Sequence, residues 1–324
     1  MARDGRTSRR QRGSKKARSP MNTTSTTGPT SPPNIYARIT GRIISALEQG
    51  VRPWVQPWSL KHSAAPVSRP LRHNGTPYTG INVLALWCTS VERGYIAPIW
   101  MTFRQAIELG AHVRKGESGT LVVYANSFKV AEDNKGDDGE EAEREVHYLK
   151  GYTVFNVEQI DGLPPQYATQ ATPPPPNASA RIAQAERLAA SSQATIRHGG
   201  GRAFYAPQAD VLQMPPFEAF RDAESYYATL LHELTHWTAH GSRLARELSK
   251  RFGDAAYAAE ELIAELGAAF LCADLGVTLE PRDDHASYVA VWLKVLRNDQ
   301  RAIFTAASQA QRAVQFLHEF ASAY

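Results

Sequence analysis

LLHELTHW at residues 230–237 places two imidazoles and one carboxylate at the spacing of a metal site. Residues four apart lie one above the other on a helix, so His232 and His236 can reach one ion. Glu233 lies beside them and can accept a proton from the water molecule that attacks a peptide carbonyl. The alternative is an amphipathic helix whose two histidines are half-buried packing residues. The pattern is rare in a chain of this composition, so the sequence favours a metallopeptidase site.

A third ligand has to follow His236, because a catalytic zinc ion keeps three protein ligands and one open position. The apolar helical segment 255–274 carries Glu261 and Glu265 one turn apart. We predict that Glu261 binds the ion and that Glu265 accepts a hydrogen bond from the ring of a ligand histidine. Glu265 or Glu260 as the ligand is the alternative. The predicted ion is Zn²⁺, with Mn²⁺ or another divalent cation as the second choice.

His240 is the other residue close enough in sequence to be considered as a ligand. If the helix continues past His236, His240 lies about 12 Å beyond His232 along the axis. That distance is too long to close the same site.

The segments around the metal helix have the pattern of a small mixed domain. Residues 181–191 and two stretches within 287–320 have helical periodicity, and residues 202–205 and 210–214 form two short predicted strands. An edge strand at this position can hold an extended peptide substrate, although a purely structural hairpin fits the same residues.

The N-terminal half has the pattern of an α+β domain. Helices are predicted at 35–48, 81–93 and 103–109, where Thr102 is an N-cap, and strands at 120–130 and 147–160. Residues 131–145 between these strands contain eight acidic residues against Lys135 and Arg144. This stretch is predicted to be an exposed hairpin insertion.

The charge of the chain is unevenly distributed. The net charge is +4, but residues 1–20 alone carry +7, which predicts a disordered basic tail at 1–33 that either touches nucleic acid nonspecifically or aids solubility. Residues 34–161 without the insertion carry +6. A loop in this basic body contains Trp54, Trp58, Arg72 and Tyr78, and such interleaving of rings and cations suits single-stranded DNA.

Composition places the protein in a soluble class. The chain has 324 residues, of which 43% are hydrophobic, without an apolar run that would span a membrane or form a signal peptide. We therefore expect a cytoplasmic protein without a membrane partner. Cys88 and Cys272 form no Cys-x-x-Cys motif and are expected to be small core residues.

The prolines at 173–176 divide the chain into two predicted domains. The predicted boundaries are 1–33 for the tail, 34–161 for a DNA-binding domain, 162–180 for the linker and 181–324 for the peptidase domain. The predicted fold class is α+β, with a mainly helical C-terminal domain that contains a small sheet.

Sequence blocks in both halves match one known family in order. In the N-terminal half they are LEQG (47–50), PW (53–54 and 57–58), YTGIN (78–82), WMTF (100–103), VRKGE (113–117) and VFNVEQ (154–159). In the C-terminal half they are HELTHWTAHG (232–241), RL (243–244), YA (257–258), EEL (260–262) and AEL (264–266). The chain thereby resembles the ArdC antirestriction family of plasmids and other mobile elements, which is related to the N-terminal part of conjugative TraC primases.

The resemblance implies single-stranded DNA binding by the N-terminal domain and protection of incoming DNA from host restriction. It adds Asn82, Arg114 and Lys115 to the candidate DNA-binding residues. It also implies a zincin-like metallopeptidase fold for the C-terminal domain, but it does not settle whether this site acts on a protein; a host protein associated with restriction or with DNA is the candidate substrate. The alternatives are a nonproteolytic protein that shields DNA around a structural metal, and a conjugation adaptor.

Overall fold

The structure is a computed structural model that describes residues 34–55, 68–135, 141–167, 178–277 and 286–322. The predicted basic tail 1–33, Trp58 and most of the predicted linker lie outside these residues. Residues 34–324 form one compact unit.

The N-terminal half combines three helices with a four-stranded mixed sheet. The helices are α1 (Ile35–Glu48), α2 (Ile81–Arg93) and α3 (Phe103–Glu108). The sheet has the order β1-β2-β5-β4, with β1 (Leu71–Arg72), β2 (Ile99–Met101), β4 (Thr120–Lys135) and β5 (Glu141–Asn156). A separate pair joins β3 (His112–Val113) to β6 (Ile160–Asp161).

Local signals account for the ends of these helices. The Asn34 side chain accepts a hydrogen bond from the amide of Ala37, and Thr102 forms a capping box with Gln105. Gly94 ends α2 in the left-handed conformation, which glycine adopts without a steric penalty. The predicted bounds of α1 and α2 are confirmed.

Strands β4 and β5 form one long antiparallel hairpin. The pairing continues into the acidic insertion, as far as Lys135 and Glu141. At the outer strand β4, the Asn82 side chain donates to the carbonyl of Val123 and accepts from its amide, at 2.8 Å each. Asn82 thus satisfies backbone groups at the edge of the sheet.

The C-terminal half is mainly helical and carries a three-stranded sheet of order β7-β9-β8. The strands are β7 (Thr195–His198), β8 (Phe204–Ala206) and β9 (Val211–Met214). The helices are α4 (Ala178–Ser191), α5 (Ala223–Trp237), α6 (Ser249–Phe252), α7 (Ala256–Leu275), α8 (Ala286–Asn298) and α9 (Ala302–Ser322). The α+β prediction is confirmed, while β7, which pairs in parallel with β9, was missing from it.

The larger of two hydrophobic core clusters among the described residues runs through both halves, from Ile39 on α1 to Leu317 on α9. The buried guanidinium of Arg69 crosses between them, with hydrogen bonds of 2.8 and 3.0 Å to the carboxylate of Asp274. Arg69 also lies over the ring of Phe270, at 4.5 Å from its centroid. The two segments predicted as separate domains are therefore packed together, and the linker boundaries at 162 and 180 stay a prediction.

Two smaller sequence observations can be compared with the described residues. Cys88 and Cys272 are buried free thiols, as expected for small core residues. None of the helices in the described ranges combines the length and the apolar content needed to cross a membrane.

Candidate metal centre

Helices α5 and α7 bring three potential ligands to one point. His232 and His236 lie one turn apart on α5, and Glu261 faces them from α7. The Nε2 atoms of His232 and His236 lie 3.7 and 3.6 Å from the two carboxylate oxygens of Glu261. Atoms that share a tetrahedral ion at 2.0–2.1 Å are about 3.3 Å apart. Two imidazoles and one carboxylate in this arrangement fit a divalent cation.

A close contact between the two helices sets this geometry. Gly267 on α7 faces Thr235 on α5, and a Cβ atom at Gly267 would lie 2.5 Å from Cγ2 of Thr235. Thr235 is itself fixed, because its hydroxyl donates to the carbonyl of Leu231 at 2.8 Å. The absence of a side chain at position 267 therefore allows α7 to approach the helix that carries the histidines.

Glu260 orients the ring of His236, a role that sequence reasoning did not assign to it. Nδ1 of His236 lies 3.2 Å from Oε1 of Glu260, and the buried Arg246 donates to both oxygens of that carboxylate. Burial acts to raise the pKa of Glu260, but the hydrogen bonds from His236 and Arg246 outweigh it and lower the pKa. An ionised Glu260 keeps a proton on Nδ1, so Nε2 of His236 is directed at the ligand position.

Nearby carboxylates also shift the pKa of the His236 imidazole. Burial acts to lower the pKa of His236, but the hydrogen bond to Glu260 and the charges of Glu260, Glu233 and Glu261 raise it overall. A cation at the site would take the place of a proton on Nε2 of His236, while Nδ1 keeps its proton towards Glu260, because a ligating imidazole is neutral.

Replacing Glu260 by Gln is expected to weaken metal binding by about 10–100-fold, the usual effect of losing a group that orients a ligand. The amide keeps the size of the side chain but removes the charge that pairs with Arg246. Competition with a chelator measures the change. Glu247→Gln is the matched control, because Glu247 is an exposed partner of Lys250 and its loss should leave the affinity unchanged. Equal affinity in both variants would contradict the role of Glu260.

Glu265 lies on the Nδ1 side of the other ligand histidine, His232. Nδ1 of His232 lies 4.0 Å from Oε2 of the buried Glu265, which is longer than a hydrogen bond, so the bond predicted between this ring and Glu265 is not formed in this structure. On its other side, Oε1 of Glu265 accepts from Nε1 of Trp54 at 3.3 Å, and Arg52 lies 3.5 Å away. Trp54 is only 1% exposed, so it cannot stack on a nucleobase in this structure. The structure therefore corrects the prediction that Trp54 contacts DNA. Trp54 instead donates a hydrogen bond from the N-terminal half to Glu265 beside the candidate metal site.

Trp54→Phe is expected to lower the free energy of unfolding by about 1–2 kcal/mol, because Glu265 loses a buried donor. Metal affinity should fall modestly, while affinity for a single-stranded oligonucleotide should stay the same. Denaturant unfolding, metal titration and oligonucleotide titration of one preparation test all three expectations. A variant that lost oligonucleotide affinity alone would contradict this reassignment.

Two arginines end helix α5 directly after the histidines. Nε of Arg243 donates to the carbonyl of Trp237 at 2.6 Å, and Arg246 donates to the carbonyl of Thr235 at 2.8 Å. The helix therefore stops at Trp237, although no glycine or proline marks its end. His240 follows in the turn, where its Nδ1 contacts the hydroxyl of Ser242 at 2.8 Å. It is not part of the three-residue ligand group.

Arg243 also ties this turn to the sheet. Its guanidinium donates to Asp210 and lies over the ring of Trp237, at 3.9 Å from the centroid. Hydrogen bonds from Arg243 outweigh partial burial and lower the pKa of Asp210 to about 2, so this ion pair persists across the neutral range.

Tyr257 lies on α7, one helical turn before the candidate ligand Glu261. Tyr257 is 65% exposed, and its hydroxyl lies 3.3 Å from that of Tyr288. The contact with Tyr288, burial and the nearby charge of Glu261 raise the pKa of Tyr257. Tyr257 precedes Glu261 by four residues on α7, so the helical spacing in the sequence could have placed it beside this ligand.

The other predicted DNA-binding residues divide into buried and exposed ones. Tyr78 and Asn82 are buried and make hydrogen bonds within the N-terminal half, which corrects their prediction as direct DNA contacts. Arg72, Arg114 and Lys115 are exposed. Arg114 donates to Glu117 and to the carbonyl of Glu158, so part of its charge is already neutralised.

Family comparisons agree with the two halves of this architecture. Residues 33–155 match the N-terminal domain of anti-restriction factor ArdC, and residues 183–309 match a zincin-like metallopeptidase domain. The antirestriction ArdC protein of plasmid R388, in its metal-free crystal structure, is 43% identical and superimposes with a TM-score of 0.75. That alignment covers 90% of this chain and 99% of the R388 protein. This chain belongs to the ArdC antirestriction family.

A second crystal structure and several further proteins are also similar to this ArdC-family chain. The Mn(II)-bound structure of R388 ArdC superimposes with a TM-score of 0.72. Protein y4eC of Sinorhizobium fredii, which is uncharacterized, is 46% identical over 90% of this chain and 93% of its own length. An Escherichia coli DNA primase TraC is 38% identical over 88% of this chain, but the match spans only 27% of the primase.

Proposed function

We propose that this ArdC-family protein binds single-stranded DNA and hydrolyses a host protein at a zinc-dependent site, and thereby protects incoming DNA from restriction. The observation that carries the peptidase part is the convergence of His232, His236 and Glu261 beside the buried Glu233. A structural zinc site is closed by four protein ligands, and it has no use for a further carboxylate beside them.

His232, His236 and Glu261 would hold the cation, oriented by Glu260 and Glu265. Zn²⁺ is the proposed ion, and the Mn(II)-bound structure of R388 ArdC supports Mn²⁺ as an alternative. A bound divalent cation supplies Lewis-acid polarisation of the scissile carbonyl and of the attacking water. The donor set of two imidazoles and one carboxylate leaves a position open for this chemistry.

Glu233 is the proposed general base. It accepts a proton from the attacking water on a carboxylate oxygen and returns it to the amine that leaves. Burial of Glu233 on the same helix turn as His232 limits the number of positions its carboxylate can adopt. The outer strand β8 offers backbone groups at the sheet edge to an extended peptide, which supports a protein substrate.

The DNA-binding part rests on charge and on relatives. Residues 34–161 without the acidic insertion carry +6, and Arg72 and Lys115 are exposed within them. The matching domain belongs to anti-restriction factor ArdC, and DNA primases carry a similar segment. An action on incoming DNA places the protein in the cytoplasm of the recipient cell.

The TraC relatives favour a second candidate function. Two DNA primases carry a similar segment as 27% and 19% of their length, which fits an adaptor that accompanies transferred DNA. In that case, or for a protein that merely shields DNA, the cation has a structural role and hydrolysis is not needed.

Glu233→Gln separates these functions. If Glu233 is the general base, the variant should lose about 10²–10⁴-fold in proteolytic rate and should fail to protect unmodified DNA from restriction in recipient cells. Zinc content and affinity for oligothymidine should equal those of the wild type, because Glu233 is not a ligand. Glu319→Gln, at an exposed position on α9, is the matched control.

Full protection by Glu233→Gln would contradict the peptidase proposal and would favour the shielding or adaptor function. Loss of zinc by this variant would show that Glu233 takes part in binding the ion.

A further inference from the structure

The exposed face of the β4–β5 hairpin carries a group of aromatic and basic side chains that the functions above leave unused. Cross-strand pairing places Lys150 opposite Tyr124, and Tyr148 opposite Asn126. Side chains two apart on a strand share a face, so all four lie on one side of the hairpin. Tyr124 is 51% exposed and Tyr148 is 40% exposed, and Lys150 is exposed between them.

The position of the ring of Tyr124 is fixed on this face. The amide of Asn126 donates to its hydroxyl at 2.9 Å. A tyrosine held in place presents its ring face at little further cost in side-chain entropy, which favours stacking of a planar ligand.

The same face continues towards the body of the protein. Tyr152 lies opposite Val122, next after Lys150 on this side of the strand, and is half-buried. Tyr152 lies near Tyr78, whose pKa is raised by burial and by Tyr152, and the guanidinium of Arg72 lies 5.3 Å from the centre of the Tyr78 ring. At one end of this face are the exposed Tyr124, Tyr148 and Lys150. At its other end is the exposed Arg72.

We propose that single-stranded nucleic acid binds along this face, with bases stacked on Tyr124 and Tyr148 and with phosphates at Lys150 and Arg72. The inference rests on the proposed DNA-binding function and assigns its surface. Cations next to exposed rings match a ligand that combines phosphates with unstacked bases.

The spacing of the Tyr124 and Tyr148 rings fits a nucleic-acid strand whose bases are not stacked on one another. Tyr124 and Tyr148 are diagonal neighbours on the paired strands, which places them about 7–8 Å apart. Successive bases in a stacked strand are only about 3.4 Å apart. A duplex cannot offer base faces to either ring, whereas a single strand can place one base on each.

Residues 131–135 and 141–145 of the acidic insertion continue the same two strands at the far end of the hairpin. The negative charge of the insertion repels phosphates. The bound strand is therefore expected to run from Tyr148 towards Arg72, away from the insertion.

Titration of fluorescent oligothymidine of about 16 nucleotides with full-length protein tests this surface. Tyr124→Ala and Tyr148→Ala should each weaken binding by about tenfold or more, the usual effect of losing one stacking ring. Tyr124→Phe should retain most of the affinity, because it keeps the ring. Phe204→Ala is the matched control, because Phe204 is an aromatic residue on a strand with 47% exposure, and it should bind as the wild type does.

The salt dependence tests the lysine separately. Lys150→Ala should reduce the slope of the logarithm of the binding constant against the logarithm of salt concentration by about 0.7, the value for one phosphate contact in a single strand. Lys294→Ala on α8, also exposed, should leave the slope unchanged.

Three outcomes would overturn the inference. Wild-type affinity in the Tyr124, Tyr148 and Lys150 alanine variants would show that this face is not used, although the proposed DNA binding would stand. Equal affinity for a duplex would contradict binding through unstacked bases. No binding by the wild-type protein would overturn both the inference and the DNA part of the proposed function. Thermal unfolding of each variant establishes that it is folded.

Discussion

Glu261→Ala is expected to abolish binding of divalent cations at concentrations that saturate the wild-type protein. Its carboxylate oxygens face both ligand nitrogens at 3.6 and 3.7 Å, so no cation can be shared by three groups once they are removed. The remaining pair of imidazoles one turn apart is an incomplete site for zinc, which takes at least three protein ligands in catalytic centres.

Calorimetric titration with Zn²⁺ and with Mn²⁺ measures this loss directly. Thermal unfolding gives a second readout, since a cation present at 1,000 times its dissociation constant stabilises the folded state by about 4.1 kcal/mol. That stabilisation should disappear in Glu261→Ala. Glu108→Ala, on the surface of α3, is the control and should keep it.

The opposite outcome would have a clear interpretation. If Glu261→Ala retained the cation and Glu265→Ala lost it, Glu265 would be the ligand. The distances argue against this, because Glu265 faces Nδ1 of His232 at 4.0 Å, on the ring side away from Glu261.

Gly267→Ala is expected to destabilise the protein by about 3 kcal/mol, at the upper end of the effects of overpacking. The new methyl group would lie 2.5 Å from Cγ2 and 2.7 Å from Oγ1 of Thr235, so α5 and α7 must move apart. Because His236 follows Thr235 directly and Glu261 lies on α7, that movement also widens the ligand group. Denaturant unfolding and metal titration should both show the effect.

Gly41→Ala is the matched control, because it places the same methyl group on α1 where no atom lies within 4 Å. It should stabilise the protein by up to about 1 kcal/mol through the helix preference for alanine. Thr235→Ala removes the two shortest contacts and should recover much of the stability in the double variant. Loss of stability in Gly267→Ala without any recovery by Thr235→Ala would contradict the proposed clash.

Much of the secondary structure could be predicted, because its causes are local. The bounds of α1 followed from apolar periodicity and from Gly50 after its end, and the structure adds Asn34 as the N-cap of α1 and Gly94 as the C-cap of α2. The pairing of β7 with β9 was missed, since a parallel pair depends on residues that the intervening β8 separates. The end of α5 was also hidden, because side chains from a later turn satisfy its last carbonyls.

The candidate site shows the same division at the level of single residues. Trp54 occurs in a loop of rings and cations that is typical of DNA-binding surfaces, and only the packed structure directs its indole N–H at Glu265, 211 residues away in sequence. Composition cannot distinguish a buried ring from an exposed one. For that reason the sequence favoured Trp54 and Tyr78 as DNA contacts, although both rings are buried in the structure.

The sequence by itself determined that His232, Glu233 and His236 share one helical turn, because a spacing of four residues has the same geometric result in any helix. It also indicated the family and the α+β class. Only the tertiary structure decided which carboxylate faces which imidazole nitrogen. Glu260, Glu261 and Glu265 are close together on α7, and their separate roles depend on how α7 packs against α5 at Gly267. That packing depends on the three-dimensional contact of distant residues, which no local pattern in the sequence specifies.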